Sequence, residues 1–312
     1  MEGAVVSYTA GTGTLIVNVD KVSGGGTFAD WNLNVAGQPG KDGATGPTGA
    51  TGPQGPSGDV NVPLGGRLTV LNNSTLQFKP FRGDRIKING LIYQIPAAGI
   101  VGLGWSGVFV NGVAGQSLVN GTTYRVYCFN NAGVLTADYS TTAHATSTTA
   151  GNVGVEIKSG DDTRSLIGLI IASASPNVFY DTPIYRNTRS WFNPQRVTFQ
   201  NLLSSSTFST TMIPIVSCWA VCFAGERAQV NISMYFANTL DGQAIYIGAG
   251  VDSTAGTYVG INCQYGNYSY TAANSVATDN LSEGQHSFSV MAAITGGGTM
   301  NYYNAQVNGT VF

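Results

Sequence analysis

The chain has 312 residues, of which 10% are charged and 42 are glycine, with a formal net charge of −2. Its 14 lysines and arginines are scattered singly, so no basic stripe is available to neutralise a nucleic-acid backbone or an anionic bilayer, and neither is expected as a partner. Polar residues without charge, interleaved with Val, Ile, Tyr and Phe, fit strands and tight turns and disfavour long solvated helices, which predicts an all-β fold with almost no helix.

At the start, Met1-Glu2-Gly3 is not a charged segment leading into an apolar core, and nowhere do about 18 apolar residues run together. The expectation is synthesis in a cytoplasm without membrane insertion. Residues 1–36 read as a short N-terminal β module. Residues 15–19 make one strand candidate, and residues 29–35 alternate apolar and polar without a fault, which would turn Ala29, Trp31, Leu33 and Val35 to one side. A module below about 40 residues with so little apolar matter needs oligomerisation or another staple to stay folded.

Glycine then falls at every third position eight times running, at Gly37, Gly40, Gly43, Gly46, Gly49, Gly52, Gly55 and Gly58. Three polyproline-II strands wind together only where the residue at the shared axis lacks a side chain, so residues 37–60 predict a collagen-like triple helix and hence a homotrimer. At about 3.1 Å per residue the tract would make a rod on the order of 70 Å long. Only Pro39 occupies the last position of a triplet, where hydroxyproline would help, so the rod is marginal alone and needs trimeric domains clamping both ends.

Beyond the tract, residues 61–195 read as a middle β domain. Residues 85–95 carry a hairpin signal, because Asn89-Gly90 accepts the positive φ angles of a type I′ turn, and Asn111-Gly112 and Asn120-Gly121 repeat that chemistry. Further strands are expected at 123–129, 153–158 and 166–172, the last a nearly continuous apolar run that implies burial on both faces. A proline-containing passage, 180–194, is expected to wrap along the surface into a C-terminal domain, 196–312. There, strands near 197–203, 213–223, 228–236, 244–250, 258–265, 286–294 and 305–312 describe a β-sandwich of jelly-roll type. The apolar terminus, Val311 and Phe312, is expected in a trimer interface.

Residues able to carry chemistry are few. A metal site would recruit Cys218, Cys222, Cys263 and His286, but an unpaired cysteine pair two residues either side of Ala220 on one strand face reads better as apolar core. His144 and His286 have no adjacent Cys, Asp or Ser motif, so no triad, metal site or cofactor is expected. Cleavage of a polysaccharide needs two carboxylates about 5 to 9.5 Å apart, whereas acids such as Asp138, Glu156, Asp161, Glu226 and Glu283 fall mostly in expected turns, and no catalytic residue is assigned. Arg82-Gly83-Asp84 spells an adhesion tripeptide and reads as a turn. Binding has the better case. Tyr265, Asn267, Tyr268 and Tyr270 gather flat apolar rings with an amide, and Tyr302 and Tyr303 offer a second cluster, the surface chemistry that recognises sugars and protein epitopes. The competing reading turns these tyrosines into the sandwich core or the trimer axis.

A Gly-X-Y tract set between β modules resembles the fibre proteins of tailed bacteriophages. Glu2-Gly3-Ala4-Val5-Val6-Ser7-Tyr8 and Phe28-Ala29-Asp30-Trp31-Asn32-Leu33 resemble the small β module that precedes collagen repeats in such fibres, although similar modules begin upstream of the position of Met1. Residues 85–96, Ala143-His144-Ala145-Thr146, Val155-Glu156-Ile157-Lys158-Ser159-Gly160-Asp161 and Ser190-Trp191-Phe192-Asn193 resemble a module that recurs after the repeats. More loosely, Leu281-Ser282-Glu283-Gly284-Gln285-His286 and Thr295-Gly296-Gly297-Gly298-Thr299 resemble trimeric jelly-roll tips of head and tail fibres. The resemblance implies an elongated homotrimer on the virion surface, made in the host cytoplasm. Its N-terminal module would join a virion attachment protein, and its tip would meet a glycan or protein on the host cell. A tail fibre is the first expectation, a capsid-anchored head fibre the alternative, and a depolymerase the lesser one.

Overall fold

The computed structural model of the chain describes residues 1–35, 37, 64–173, 177–209, 211–238, 243–252, 254–263, 272–294 and 299–312. Of the eight axial glycines only Gly37 falls within that set, so the expected triple helix lies outside the described residues. Chain contacts separate two units, Met1–Ser57 and Gly58–Phe312. Regular structure among the described residues is strand throughout, as the uncharged polar composition requires.

In the first unit β1 (Glu2–Thr9) pairs antiparallel with β2 (Thr14–Lys21). Every residue of β1 is exposed, and Val5, Val6, Tyr8 and Ile16 are apolar side chains left open. A two-stranded ribbon with no covered face is marginal by itself, in keeping with a module that needs a partner. The strand expected over residues 29–35 does not form: the segment is irregular and exposed, and Trp31 meets Phe28 edge-on at 5.6 Å. Alternation alone does not make a strand, because its backbone groups need a paired neighbour and the described part of this unit supplies none.

The second unit opens with two hairpins, β3 (Arg67–Asn72) with β4 (Thr75–Lys79) and β5 (Arg85–Ile88) with β6 (Leu91–Gln94). Asn89 and Gly90 have φ of 48° and 78°, the paired positive angles of the expected turn. The same chemistry at Asn111 and Gly112, with φ of 51° and 82°, joins β7 (Ser106–Val110) to β8 (Val113–Ser117). Asn120-Gly121 departs from it. Only Gly121 has positive φ there, and β8 does not pair with β9 (Thr123–Asn131).

The larger sheet of this half runs β11 (His144–Thr146), β12 (Glu156–Lys158), β13 (Asp161–Ile171), β9, β10 (Val134–Ser140), β7, β8. The strand expected over 153–158 is thus cut to three residues, which keep Glu156, and Asp138 and Asp161, counted among acids mostly in expected turns, lie on strands. Residues 165 to 172 are all buried, as the apolar run implies. On one side of the sheet Ile167 and Ile170 join a core with Phe78, Ile86, Trp105 and Tyr139. On the other, Leu166, Leu169 and Ile171 pack with Tyr127 against Val221 and Phe223 from the C-terminal half.

The passage 180–194 does more than follow the surface. Its first strand, β14 (Tyr185–Arg186), pairs parallel with β17 (Ile213–Cys222), and its second, β15 (Thr188–Ser190), pairs with β13, so it is stitched into both halves. Asn187, Arg189 and Ser190 are buried as a result.

The C-terminal half is a two-sheet sandwich. One sheet runs β16 (Val197–Ser209), β23 (Thr299–Val311), β18 (Ala228–Asn238), β21 (Ala272–Thr278); the other runs β14, β17, β22 (Gly284–Ile294), β19 (Gln243–Val251), β20 (Thr254–Cys263). Seven of its strands coincide with the sequence expectations, and β21, whose Ala, Ser and Asn carry little strand preference, was not expected. Alternate residues point inward, where Phe199 stacks on Phe288 at 4.5 Å among Val230, Ile232, Ile247, Val290 and Val307. Gly309 is required at its place, since a Cβ there would run into the Phe199 ring and the Gln229 carbonyl.

Candidate functional site

Of the tyrosine clusters expected to bind, Tyr265, Asn267, Tyr268 and Tyr270 lie outside the described residues. Tyr302 is corrected by the sandwich geometry: it is 3% exposed and belongs to the core, while Tyr303 contributes backbone to β23 opposite Ser205 and Tyr235. Val311 is likewise taken up by the core of its own chain, fully buried beside Ala228. Phe312 remains half exposed, with the Arg196 guanidinium 4.4 Å from its ring centroid.

An aromatic strip instead arises where β14 meets β17. Their parallel register sets Tyr185 beside Trp219, and the two rings stack with centroids 5.0 Å apart and planes 10° from parallel. Tyr180 extends the strip, 5.6 Å from Tyr185. Main-chain bonds fix this arrangement: Trp219 N–H donates to Ile184 O at 2.8 Å, Thr182 N–H to Tyr185 O at 2.9 Å, and Gln200 N–H to Pro183 O at 2.8 Å. Tyr180 and Tyr185 line a hollow of about 610 Å³ together with Pro183, Gln200, Asn201 and Leu202, with no charged side chain in its wall among the described residues. Register then carries the polar edge across the outer sheet, where Gln200 faces Asn308 and Asn308 faces Asn231. Flat rings bordered by amide donors and acceptors can hold the apolar face of a sugar and bond its hydroxyls. The strip is invisible locally, because Trp219 comes from a different stretch than Tyr180 and Tyr185; the one local signal is Trp219, an outward position between the inward Cys218 and Ala220.

Four residues, Arg125, His144, Glu156 and Glu283, meet at the junction of the two halves. The His144 ring lies with Nδ1 2.6 Å from Glu156 Oε2 and Nε2 2.7 Å from Glu283 Oε2, while Arg125 Nε donates to Glu283 Oε1 at 2.6 Å. An imidazole facing a carboxylate at each nitrogen is satisfied only as the cation, which donates from both. The hydrogen bond to Glu283 accordingly raises the His144 pKa; burial opposes it, and the bond to Glu156 adds to it. Burial works to raise the Glu283 carboxyl, but the hydrogen bonds from His144 and Arg125 outweigh it and the net shift is downward. Trp191 and Phe223 pack their rings 5.7 and 6.3 Å from the imidazole. Sequence reading left His144 without acidic neighbours, because these reach it through sheet pairing and the sandwich rather than along the chain.

The remaining candidates are structural. His286 is buried, with Nδ1 2.7 Å from Asp252 Oδ2 and Nε2 2.8 Å from Ser282 O. Cys218 and Cys222 sit in the sandwich core, and burial pushes both thiols up to about 12. Asp138, wholly buried, accepts from Gly112 N–H and from Arg164 Nε, each at 2.9 Å. Arg82 and Gly83 have positive φ, and the adhesion-like tripeptide lies in the irregular link between β4 and β5.

Neither a protein-family model nor a curated protein matches the chain. Among solved structures it is similar to that of the infectious bursal disease virus Gx strain, at 9% identity and a TM-score of 0.25, covering 80% of this chain and 67% of that one. It is also similar to the insecticidal delta-endotoxin Cry8Ea1 from Bacillus thuringiensis, at 7% identity and a TM-score of 0.22, covering 80% of this chain and 52% of that one. Neither similarity is close enough to bear on function.

Proposed function

We propose that the chain is the subunit of a trimeric bacteriophage fibre that carries a receptor-binding tip towards the host surface. One observation carries this reading: glycine at every third position eight times running, between β modules, demands three chains and supplies a rod. The exposed apolar residues of β1 suit a module that acquires its cover from sister chains or from a virion partner. At the other end, the two-sheet strand order β16-β23-β18-β21 over β17-β22-β19-β20 has the character of a jelly roll, and the Tyr180, Tyr185 and Trp219 strip is suited to glycans. Three symmetric copies would turn weak single-site contacts into firm adhesion on a repeating polymer.

A tail fibre and a capsid-anchored head fibre would share all these parts. Imaging virions labelled with antibody against residues 197–312 separates them: label at the tail supports the first, label confined to the capsid moves the assignment to the head fibre, and virions without label remove the fibre reading.

A further inference from the structure

In a chain with so little charge, four of the arginines line one cavity. It holds about 450 Å³ between β3, the stitched passage and the start of β16, and Arg67, Arg186, Arg189 and Arg196 all contribute to its wall. Two of them are neutralised: Arg186 pairs with Asp181 at 3.1 Å, and Arg189 Nε donates to Glu226 Oε1 at 3.0 Å. For Arg67 and Arg196 no carboxylate partner exists among the described residues. Arg67 lies with its guanidinium carbon 3.4 Å from the centroid of Phe81 and donates to Asn193 O at 3.3 Å, and Arg196 covers Phe312. The wall therefore carries two uncompensated cations in a protein whose net charge is negative. Thr188, also in the wall, has a buried Oγ1 with no hydrogen-bond partner among the described residues. Burial, and to a lesser degree the nearby charge of Arg82, lowers the Arg67 pKa.

We infer that this cavity is an anion-binding subsite that takes a phosphate or carboxylate group of an acidic glycan. Planar guanidinium groups match both anions through paired N–H donors, which ammonium groups do not. The glycan part follows from continuity: Arg186 and Thr198 share a neighbouring hollow with Gln200, and Gln200 also borders the aromatic strip. A polymer lying along this path would place sugar rings at Tyr180 and Tyr185 and an acidic substituent among the arginines. That part rests on the fibre reading; the anion site does not.

The test is calorimetric titration of the full-length protein with inorganic phosphate and with glucuronate, at constant ionic strength and with glucose as the neutral control. Millimolar binding of either anion is expected, weakened about tenfold or more in Arg67→Gln and Arg196→Gln. These positions are chosen because removing them strands no acid, and a thermal melt confirms that each variant is folded; Arg196, being exposed, provides the second variant should Arg67→Gln fail to fold. Phosphate preferred over glucuronate identifies a phosphate-bearing polymer, and the reverse a uronic-acid polymer. Absence of binding at tens of millimolar, or equal binding by the folded variants, overturns the subsite. Anion binding that is lost in the variants while virion adsorption is unchanged keeps the subsite and overturns its link to the receptor.

Discussion

Replacing His144 by Gln tests whether the junction of the two β halves is held by a protonated histidine. The ring bonds Glu156 at 2.6 Å and Glu283 at 2.7 Å, with the three side chains 20%, 14% and 11% exposed. Hydrogen bonds to charged groups contribute roughly 1.5–3 kcal/mol each, trimmed here by partial solvent access. Glutamine keeps one donor and turns a carbonyl oxygen towards the other carboxylate, so about 2 kcal/mol should be lost near pH 6. The sign of the pH effect follows from the two shifts. His144 has a raised pKa, so its contribution is complete below the ordinary histidine value of about 6.5 and fades as pH rises through the folded value. Glu283 has a lowered pKa, so its contribution is complete above the ordinary value of about 4.5 and fades as pH falls through the folded value. The full-length protein should therefore be most resistant to urea between about pH 4.5 and 6.5, with a midpoint that falls towards pH 9, whereas His144→Gln should be weaker near pH 6 and lack that alkaline fall. A variant with the parent's midpoint near pH 6, or with the parent's alkaline fall, would refute the reasoning.

Three further predictions follow from buried positions. Asp138→Ala leaves Arg164 and Lys158 without their buried acid and should cost about 3–5 kcal/mol in urea unfolding; a change below about 1 kcal/mol would contradict the pairing. Gly309→Ala forces a methyl into the Phe199 ring and the Gln229 carbonyl and should cost about 1–3 kcal/mol with a changed near-ultraviolet spectrum, an outcome absent if that strand has room. Cys128, Cys218 and Cys222 are buried with thiols pushed up, so iodoacetamide at about pH 8 should label them only after unfolding, as read by mass spectrometry; rapid native labelling would deny their burial.

What the sequence made legible was whatever is written locally. Asn89-Gly90 and Asn111-Gly112 specify their hairpins within a few residues, and the apolar run of β13 announces burial on both faces without naming its neighbours. Residues 29–35 have an equally clear alternation and form no strand, because pairing is a property of the neighbour. The candidate site failed to show for the same reason: Tyr185 and Trp219 meet through a two-residue parallel pairing that no pattern forecasts, and Glu283 reaches His144 across 139 residues. Of the tyrosines that composition singled out, Tyr302 is a residue that the period-two geometry of β23 turns inward.

The central claim, a receptor-binding fibre, is tested most directly by competition for adsorption. Purified full-length protein, incubated with host cells before addition of the phage whose fibre it is proposed to form, should reduce virion attachment in proportion to its concentration. Tyr185→Ala, which removes the ring of a residue 38% exposed at the centre of the strip, should compete much less well. Undiminished attachment at saturating full-length protein would contradict the account.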